Sequence, residues 1–189
     1  EDNIRRKDDL LNTVLEPGAA LAAAMALGPE AWLGEVQKSS LRGRGGAGFT
    51  TGVKWEACRN APGEERVIVC NADEGEPGTF KDRVLLTSYP DHVFEGMTLA
   101  AYATGARQGF LYLRGEYRYL LEPLEAALQR RREAGLLGQG IRGQAGFDFD
   151  IEIHLGAGAY VCGEETALIE SLEGKRGTPR IRPPFPVIK

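Results

Sequence analysis

The chain has 189 residues, which suffices for one compact domain, and its 42% hydrophobic and 26% charged residues are typical of a globular protein. A formal net charge of −4 gives no electrostatic support to nucleic-acid binding, and the most apolar run, residues 19–27, is too short to cross a bilayer. No signal peptide is visible and the three cysteines are an odd number, so we expect no membrane insertion and a cytoplasmic chain.

The first predicted element is a helix over residues 29–38, which starts with a proline and carries apolar residues on one face. A glycine-rich stretch, residues 41–49, follows it, and glycine lets a backbone turn sharply and approach an anion such as a phosphate. The spacing Gly43-x-Gly45-x-x-Gly48 matches the dinucleotide fingerprint, but a helix precedes it where that fingerprint needs a strand. Taken alone, this stretch is equally compatible with a phosphate cradle and with a flexible surface loop.

Strands and helices alternate through the rest of the chain. Short apolar or alternating runs predict the strands, and apolar residues repeating at helical spacing predict the helices. This alternation is typical of an α/β fold with a Rossmann-like, mostly parallel sheet and helices on both of its faces. The predicted strands are residues 66–70, 109–113 and 147–153, and the predicted helices are residues 90–103, 117–134 and 164–172.

Acidic turns follow two of the predicted strands. Asp73, Glu74 and Glu76 come soon after the first strand, and Glu164 and Glu165 open the helix after the third. In open parallel sheets, ligands bind beyond the carboxyl ends of the strands, which makes both turns candidate sites. The alternative is local chemistry, since acids are favoured in turns and at helix N-termini. That alternative explains each turn alone, but it explains poorly why both occur together with the glycine loop.

Three stretches resemble one protein family and cover most of the chain from Leu41 onward. They are residues 41–55 (LRGRGGAGFTTGVKW), residues 69–83 (VCNADEGEPGTFKDR) and residues 156–186 (beginning GAGAYVCGEE). The family is the NADH-oxidising flavoprotein subunit shared by respiratory complex I, the diaphorase of NAD-reducing nickel–iron hydrogenases and the beta subunit of some NAD-dependent formate dehydrogenases. Within it the chain is most similar to the hydrogenase diaphorase, because Thr50 stands where the complex I branch usually has proline.

The resemblance implies a glycine-rich FMN-binding loop and hydride transfer between NAD(H) and FMN. By matched position, the FMN-binding residues are Gly43, Arg44, Gly45 and Lys54 at the phosphate and ribityl chain, Asn71, Asp73 and Glu74 at the ribityl hydroxyls and flavin edge, and Tyr160, Gly163 and Glu164 along the isoalloxazine. The residues implied for the nicotinamide nucleotide are Gly46, Phe49, Glu76, Glu165 and Phe185, while Ala47 and Gly48 complete the loop and Arg182 serves a phosphate or ribose. Arg182 stands where lysine is frequent in the family, and Ala57 stands where the complex I branch often has an aromatic residue.

In such a site hydride passes directly between the two cofactors, so positioning is the main contribution of the protein and no general acid or base is required. We expect Glu76 and Glu165 to act in catalysis through their charges, which disfavour an anionic reduced flavin. At about 7 Å and an effective dielectric constant near 20, one charge pair costs roughly 2 kcal/mol. For a two-electron couple this is on the order of 50 mV.

The resemblance also implies a longer protein. Family members continue past the proline-rich segment into a ubiquitin-like domain and a helical bundle whose four cysteines ligate a [4Fe–4S] cluster, whereas this sequence stops at Lys189. The three cysteines present form no metal-ligand pattern, so no metal-ligating residue is predicted. We expect an N-terminal helical segment (1–40), an FMN/NADH-binding α/β domain (41–178) and an extended proline-rich segment (179–189). The implied partners are an iron–sulfur subunit and a hydrogenase or respiratory module.

Two functions of other classes stay open on the sequence. A non-catalytic nucleotide-binding module would bind NADH or FMN without turnover, and a different flavin enzyme would pass electrons to a soluble acceptor. A P-loop ATPase is disfavoured, because no Gly-Lys-Ser/Thr follows the glycine loop.

Overall fold

The computed structural model describes residues 16–186 and confirms the α/β fold with a parallel sheet. The strands are β1 (Val67–Ala72), β2 (Gln108–Leu113) and β3 (Asp150–Leu155), in the spatial order β1-β2-β3. The register places Ala72 opposite Leu113, and Leu113 opposite Leu155, so all three strands end at one edge of the sheet. Residues that directly follow the strands are therefore neighbours at this edge, which we call the carboxyl edge.

Seven α-helices and three short 3-10 segments accompany the sheet among residues 16–186. The helix predicted over residues 29–38 is confirmed, and the helix predicted from Pro90 is confirmed and extends to Thr104. No helix in this part of the chain combines the length and apolar character that a bilayer span requires. The α-helices are α1 (Ala19–Leu27), α2 (Pro29–Lys38), α3 (Thr51–Asn60), α4 (Lys81–Ser88), α5 (Pro90–Thr104), α6 (Leu121–Glu133) and α7 (Glu165–Leu172). The 3-10 segments are Gly115–Leu120, Ile141–Gly143 and Tyr160–Gly163.

The main core lies between one face of the sheet and two helices. Leu111 and Leu113 of β2 are fully buried there, together with Phe94 of α5 and with Leu124 and Leu128 of α6. Removing such side chains from water is the principal stabilising term of the fold, at roughly 1.5–3 kcal/mol for each. This core holds the carboxyl edge of the sheet in place.

A smaller cluster covers the opposite face of the sheet. Successive strand residues point to opposite faces, so Tyr112 of β2 packs away from the main core, against Leu168 of α7 and Cys162. Helices therefore lie on both faces, as predicted. Farther from the carboxyl edge, Val67 and Val69 of β1 stay exposed, so the second face is only partly covered.

The helix predicted over residues 117–134 begins only at Leu121. A 3-10 segment precedes it, in which Tyr117 has a non-helical backbone (φ −91°, ψ 20°). The ring of Tyr117 is buried and its hydroxyl is hydrogen-bonded to Glu74 at the end of β1. This long-range contact, which no local pattern reveals, fixes the backbone outside the helix.

The strand predicted over residues 147–153 is shifted along the chain, because β3 begins at Asp150 and extends to Leu155. Phe149 pairs instead with Gly138 through two backbone hydrogen bonds of 2.8 and 3.0 Å. The alternation of buried residues in this run is real, since Phe149 and Ile151 are both buried, but its first half belongs to a loop folded back on itself.

A buried ion pair attaches the first helix to the core. Arg131 of α6 is only 2% exposed and donates to the Glu95 carboxylate of α5 at 2.6 Å. Glu95 also accepts hydrogen bonds from the backbone amides of Gly18 and Leu21, at the start of α1, each at 3.0 Å. The free N–H groups of that helix start are thus satisfied by a side chain from another helix.

Candidate functional site

The glycine loop is closed at its base before it reaches α3. Arg42 and Thr50 form an antiparallel bridge, and the amide of Gly43 donates to the carbonyl of Phe49 at 2.9 Å. The loop therefore joins two helices, α2 and α3. Its base is fixed, so its tip projects in a defined direction beside the start of α3.

The tip of the loop borders open space. Gly46 and Gly48 have φ angles of +112° and +62°, which favour glycine, and a Cβ atom built on Gly45, Gly46 or Gly48 would meet no atom within 4 Å. Arg44 and Ala47 are exposed beside them. The backbone of this loop is thus free to contact a ligand.

Charged side chains from three segments meet next to the loop. Lys54, in the first turn of α3, lies 3.0 Å from the Glu165 carboxylate at the start of α7. Arg182 pairs with both acids, at 3.2 Å from Glu165 and by a hydrogen bond to Glu164. Glu164 also caps α7, because it accepts the amide of Thr166 at 2.9 Å. Two cations and two carboxylates predicted from separate stretches are therefore in contact.

Asp73, directly after β1, is a buried acid with an unused oxygen. The residue is 9% exposed, and its Oδ2 atom has no hydrogen-bond partner among residues 16–186. Burial raises the pKa of Asp73, and the nearby Arg114 guanidinium opposes that rise. Its neighbour Asn71 donates to the Gly163 carbonyl at 2.8 Å, which joins the end of β1 to the segment before α7. An unpartnered buried carboxylate oxygen is free to accept a hydrogen bond from a bound ligand or from water.

Glu74 is placed differently from its neighbour. Its carboxylate accepts the Asp82 amide at 2.8 Å, the Arg83 amide at 3.3 Å and the Tyr117 hydroxyl at 2.6 Å. Burial raises the pKa of Glu74, but these hydrogen bonds outweigh it and leave the pKa below its ordinary value. Both oxygens already accept hydrogen bonds from the start of α4 and from Tyr117, so the carboxylate holds the acidic turn in place.

The two acidic turns touch each other at the surface. The Tyr160 hydroxyl donates to the Glu76 carboxylate at 2.6 Å, and this bond raises the pKa of Tyr160. A Cβ atom on Gly75 would lie 3.1 Å from the Tyr160 ring, a tight contact, so a larger residue here would push the ring by a few tenths of an ångström. Phe49 and Phe185, which the resemblance assigns to the nicotinamide nucleotide, are both exposed, and neither stacks on another aromatic ring among residues 16–186.

The sequence interpretation missed the contribution of the segment after β2. Arg114 donates to the Glu74 carbonyl and pairs with Glu116 at 2.9 Å. A Cβ atom on Gly115 would lie 2.6 Å from the Gly156 carbonyl oxygen, which shows how closely the ends of β2 and β3 approach. Topology alone predicts this contribution, since parallel strands end at one edge of the sheet and Arg114 and Glu116 come directly after β2.

Known proteins resemble this chain in sequence and in structure. It is 59% identical over 190 residues to the alpha subunit of the NAD-reducing hydrogenase HoxS of Cupriavidus necator, covering 99% of this chain and 31% of that protein. It is 50% identical over 182 residues to an NADH-quinone oxidoreductase subunit of Rhizobium meliloti, covering 95% of this chain and 43% of that protein. A crystal structure of an NAD+-reducing [NiFe]-hydrogenase in the H2-reduced state matches with a TM-score of 0.83 and 57% identity, over 94% of this chain and 29% of that one.

The chain thus spans less than half the length of the relatives it matches. A family model, the Nuo51 FMN-binding domain, matches residues 36–188, from the end of α2 through the glycine loop, both acidic turns and the proline-rich segment. These are the segments that form the site described above. The chain belongs to the Nuo51 FMN-binding domain family.

Proposed function

We propose that the chain binds FMN and NAD(H) and moves a hydride between them, as the diaphorase part of an NAD-reducing hydrogenase. The observation that carries the proposal is the unpartnered Oδ2 atom of buried Asp73 at the carboxyl edge. Lys54, beside the glycine loop, reaches Glu165, and Asn71 of β1 reaches Gly163, so the loop side and the Asp73 turn both contact the segment around the start of α7. Membership of an FMN-binding family and the high identity to a hydrogenase subunit support the same conclusion.

The residues at the carboxyl edge fit the chemistry of FMN. FMN has a phosphate dianion at one end of a chain of hydroxyl groups, so it needs cations and exposed amides at one place and acceptors at another. Lys54 and the open backbone at Gly45 and Gly46 suit the phosphate. Asp73 suits the hydroxyl groups, because a buried carboxylate gains most from accepting a donor. Asn71 lies beside it, and its side chain holds the turn by donating to the Gly163 carbonyl and accepting from the Asp73 amide.

Each remaining residue has a proposed part in binding or orienting. Bound FMN supplies the redox centre of the reaction, and the protein orients both cofactors against each other. Glu76 and Glu165 place negative charge beside the redox-active ring. Glu74 acts indirectly, since its carboxylate is committed to α4 and Tyr117. The loop residues Gly43, Arg44, Ala47 and Gly48 and the side chains of Phe49, Tyr160, Glu164, Arg182 and Phe185 line the space for the two nucleotides, together with the backbone of Gly163.

The physiological setting is part of the same proposal. We expect a cytoplasmic complex in which electrons leave through a [4Fe–4S] cluster of the full-length protein and an iron–sulfur partner subunit to a hydrogenase module. The 50% identity to an NADH-quinone oxidoreductase subunit supports a second candidate, the NADH-oxidising subunit of a respiratory complex. Electron transfer from H2 to NAD+ by the assembled complex would distinguish the first candidate from the second.

The spectrum of the intact purified protein tests the proposal. We expect oxidised-flavin absorption after reconstitution with FMN, bleaching of these bands by NADH, and steady reduction of ferricyanide by NADH. Binding of FMN and NADH without bleaching would favour a non-catalytic nucleotide-binding module. A protein that binds neither nucleotide would overturn the proposal.

A further inference from the structure

Arg114 ties the end of β1 to the end of β2. Its backbone amide donates to the Ala72 carbonyl at 3.1 Å, which extends the parallel pairing one residue past the strand. Its guanidinium donates to the Glu74 carbonyl on the other side of Asp73. Arg114 therefore donates hydrogen bonds to the carbonyl groups of Ala72 and Glu74, the residues on either side of Asp73.

The guanidinium of Arg114 is itself held in place. It lies 5.5 Å from the centre of the Tyr117 ring, and Tyr117 in turn donates to the Glu74 carboxylate at 2.6 Å. Glu116 pairs with it at 2.9 Å from the exposed side. With a side chain that is 24% exposed, Arg114 is a fixed charge at the carboxyl edge and not a freely moving surface residue.

The groups that act on the Asp73 carboxylate come from several elements. Arg114 and Glu116 act on it from the segment after β2, with opposite signs, and the hydroxyl of Tyr112 lies near it on β2 itself. On the side of α7, a Cβ atom on Gly163 would lie 3.9 Å from Asp73 Oδ2. Desolvation raises the pKa of Asp73, Arg114 lowers it, and Glu116 raises it.

We propose that Arg114 is a positioning residue, which fixes the Asp73 turn and keeps the Asp73 carboxylate ionised so that it accepts hydrogen bonds from the hydroxyl groups of the cofactor. Glu116 counteracts Arg114, because it neutralises part of the guanidinium charge. This inference rests on the proposed FMN function, but the ionisation of Asp73 is measurable without any cofactor.

The direct test is a carbon-13 NMR titration of the Asp73 carboxyl group in the intact protein, with the signal identified by its loss in Asp73→Asn. We expect Arg114→Gln to raise the pKa of Asp73 by about one unit, and Glu116→Gln to lower it. Arg118→Gln, which removes the same charge from an exposed position in the same segment, is the matched control. If Arg114 had only a structural role, the pKa of Asp73 would not shift in opposite directions in Arg114→Gln and Glu116→Gln.

The functional readout is the dissociation constant of FMN as a function of pH, measured by quenching of flavin fluorescence. As pH falls, protonation of Asp73 weakens FMN binding, and in Arg114→Gln this weakening starts at a higher pH than in the wild type. For a pKa one unit higher, the variant binds FMN about tenfold more weakly than the wild type at acidic pH. Arg114→Lys restores the charge and returns part of this affinity.

If the wild type binds no FMN, the proposed function fails while the NMR titration still decides the role of Arg114. If the pKa of Asp73 in Arg114→Gln and in Glu116→Gln is the same as in Arg118→Gln, the inference is overturned. Glu116 is exposed, so its variant keeps the test valid should Arg114→Gln fail to fold.

Discussion

Lys54 and Glu165 are 111 positions apart in sequence, and their charged groups lie 3.0 Å apart in the fold. The pair joins the start of α3, just after the glycine loop, to the second acidic turn at the start of α7. A phosphate bound at the loop would share the Lys54 ammonium with Glu165 and so weaken this ion pair. Binding of the cofactor and the position of this acid are therefore linked through one lysine.

Replacing Lys54 by glutamine should weaken FMN binding through the phosphate alone. A hydrogen bond to a charged group contributes about 1.5–3 kcal/mol, which corresponds to a loss of about ten- to a hundredfold in affinity. Riboflavin lacks the phosphate, so its affinity should change little. Fluorescence titrations with both flavins check this, with exposed Lys38→Gln as the control. Equal losses for FMN and riboflavin would place the phosphate elsewhere.

Neutralising Glu76 should raise the two-electron midpoint potential of bound FMN by more than neutralising Glu165. Glu76 is hydrogen-bonded to the neutral Tyr160, whereas Glu165 is paired with two cations that already offset its charge. The expected shift for Glu76→Gln is on the order of 50 mV, the size of one partly screened charge pair. Anaerobic redox titration of Glu76→Gln and Glu165→Gln measures it. Unchanged potentials in both variants would remove these acids from the redox role.

Asp73→Asn should stabilise the cofactor-free protein and weaken FMN binding. The folded-state pKa of Asp73 is raised, so its contribution to stability is fully present below the unfolded pKa of about 3.9 and is lost as pH rises through the folded pKa. Above the folded pKa the wild type therefore contains a buried carboxylate with an unpartnered oxygen, and asparagine removes that charge, with a gain of about 1 kcal/mol. Urea unfolding at several pH values shows the gain, which should disappear in acid. A variant that is less stable at every pH would contradict this account.

Glu95→Ala should destabilise the fold by about 3–5 kcal/mol, because it leaves Arg131 buried without its main partner and frees the start of α1. Chemical denaturation of the variant, with exposed Glu125→Ala of α6 as the control, measures the effect. A loss no greater than that of the control would mean that the pair contributes nothing.

Local patterns predict most of the elements but not the contacts between them. The helix over residues 29–38 and the strand ending at Leu113 follow from apolar periodicity, which is a local property. The shortened helix at Tyr117 does not, because a hydrogen bond to Glu74 decides its backbone.

The candidate site shows the same division. Parallel strands end at one edge, so the meeting of the acidic turns after β1 and before α7 is predictable from topology. The two acids Asp73 and Glu74 are adjacent in sequence, yet one has an unpartnered oxygen and the other is saturated. Only the positions of α4 and Tyr117 distinguish them, and these depend on the whole fold.

Anaerobic addition of one equivalent of NADH to the FMN-loaded intact protein tests the central claim most directly. We predict that the oxidised-flavin absorption disappears and that one NAD+ is formed for each FMN present. Bound flavin that stays oxidised while the NADH remains unconsumed would contradict hydride transfer at this site.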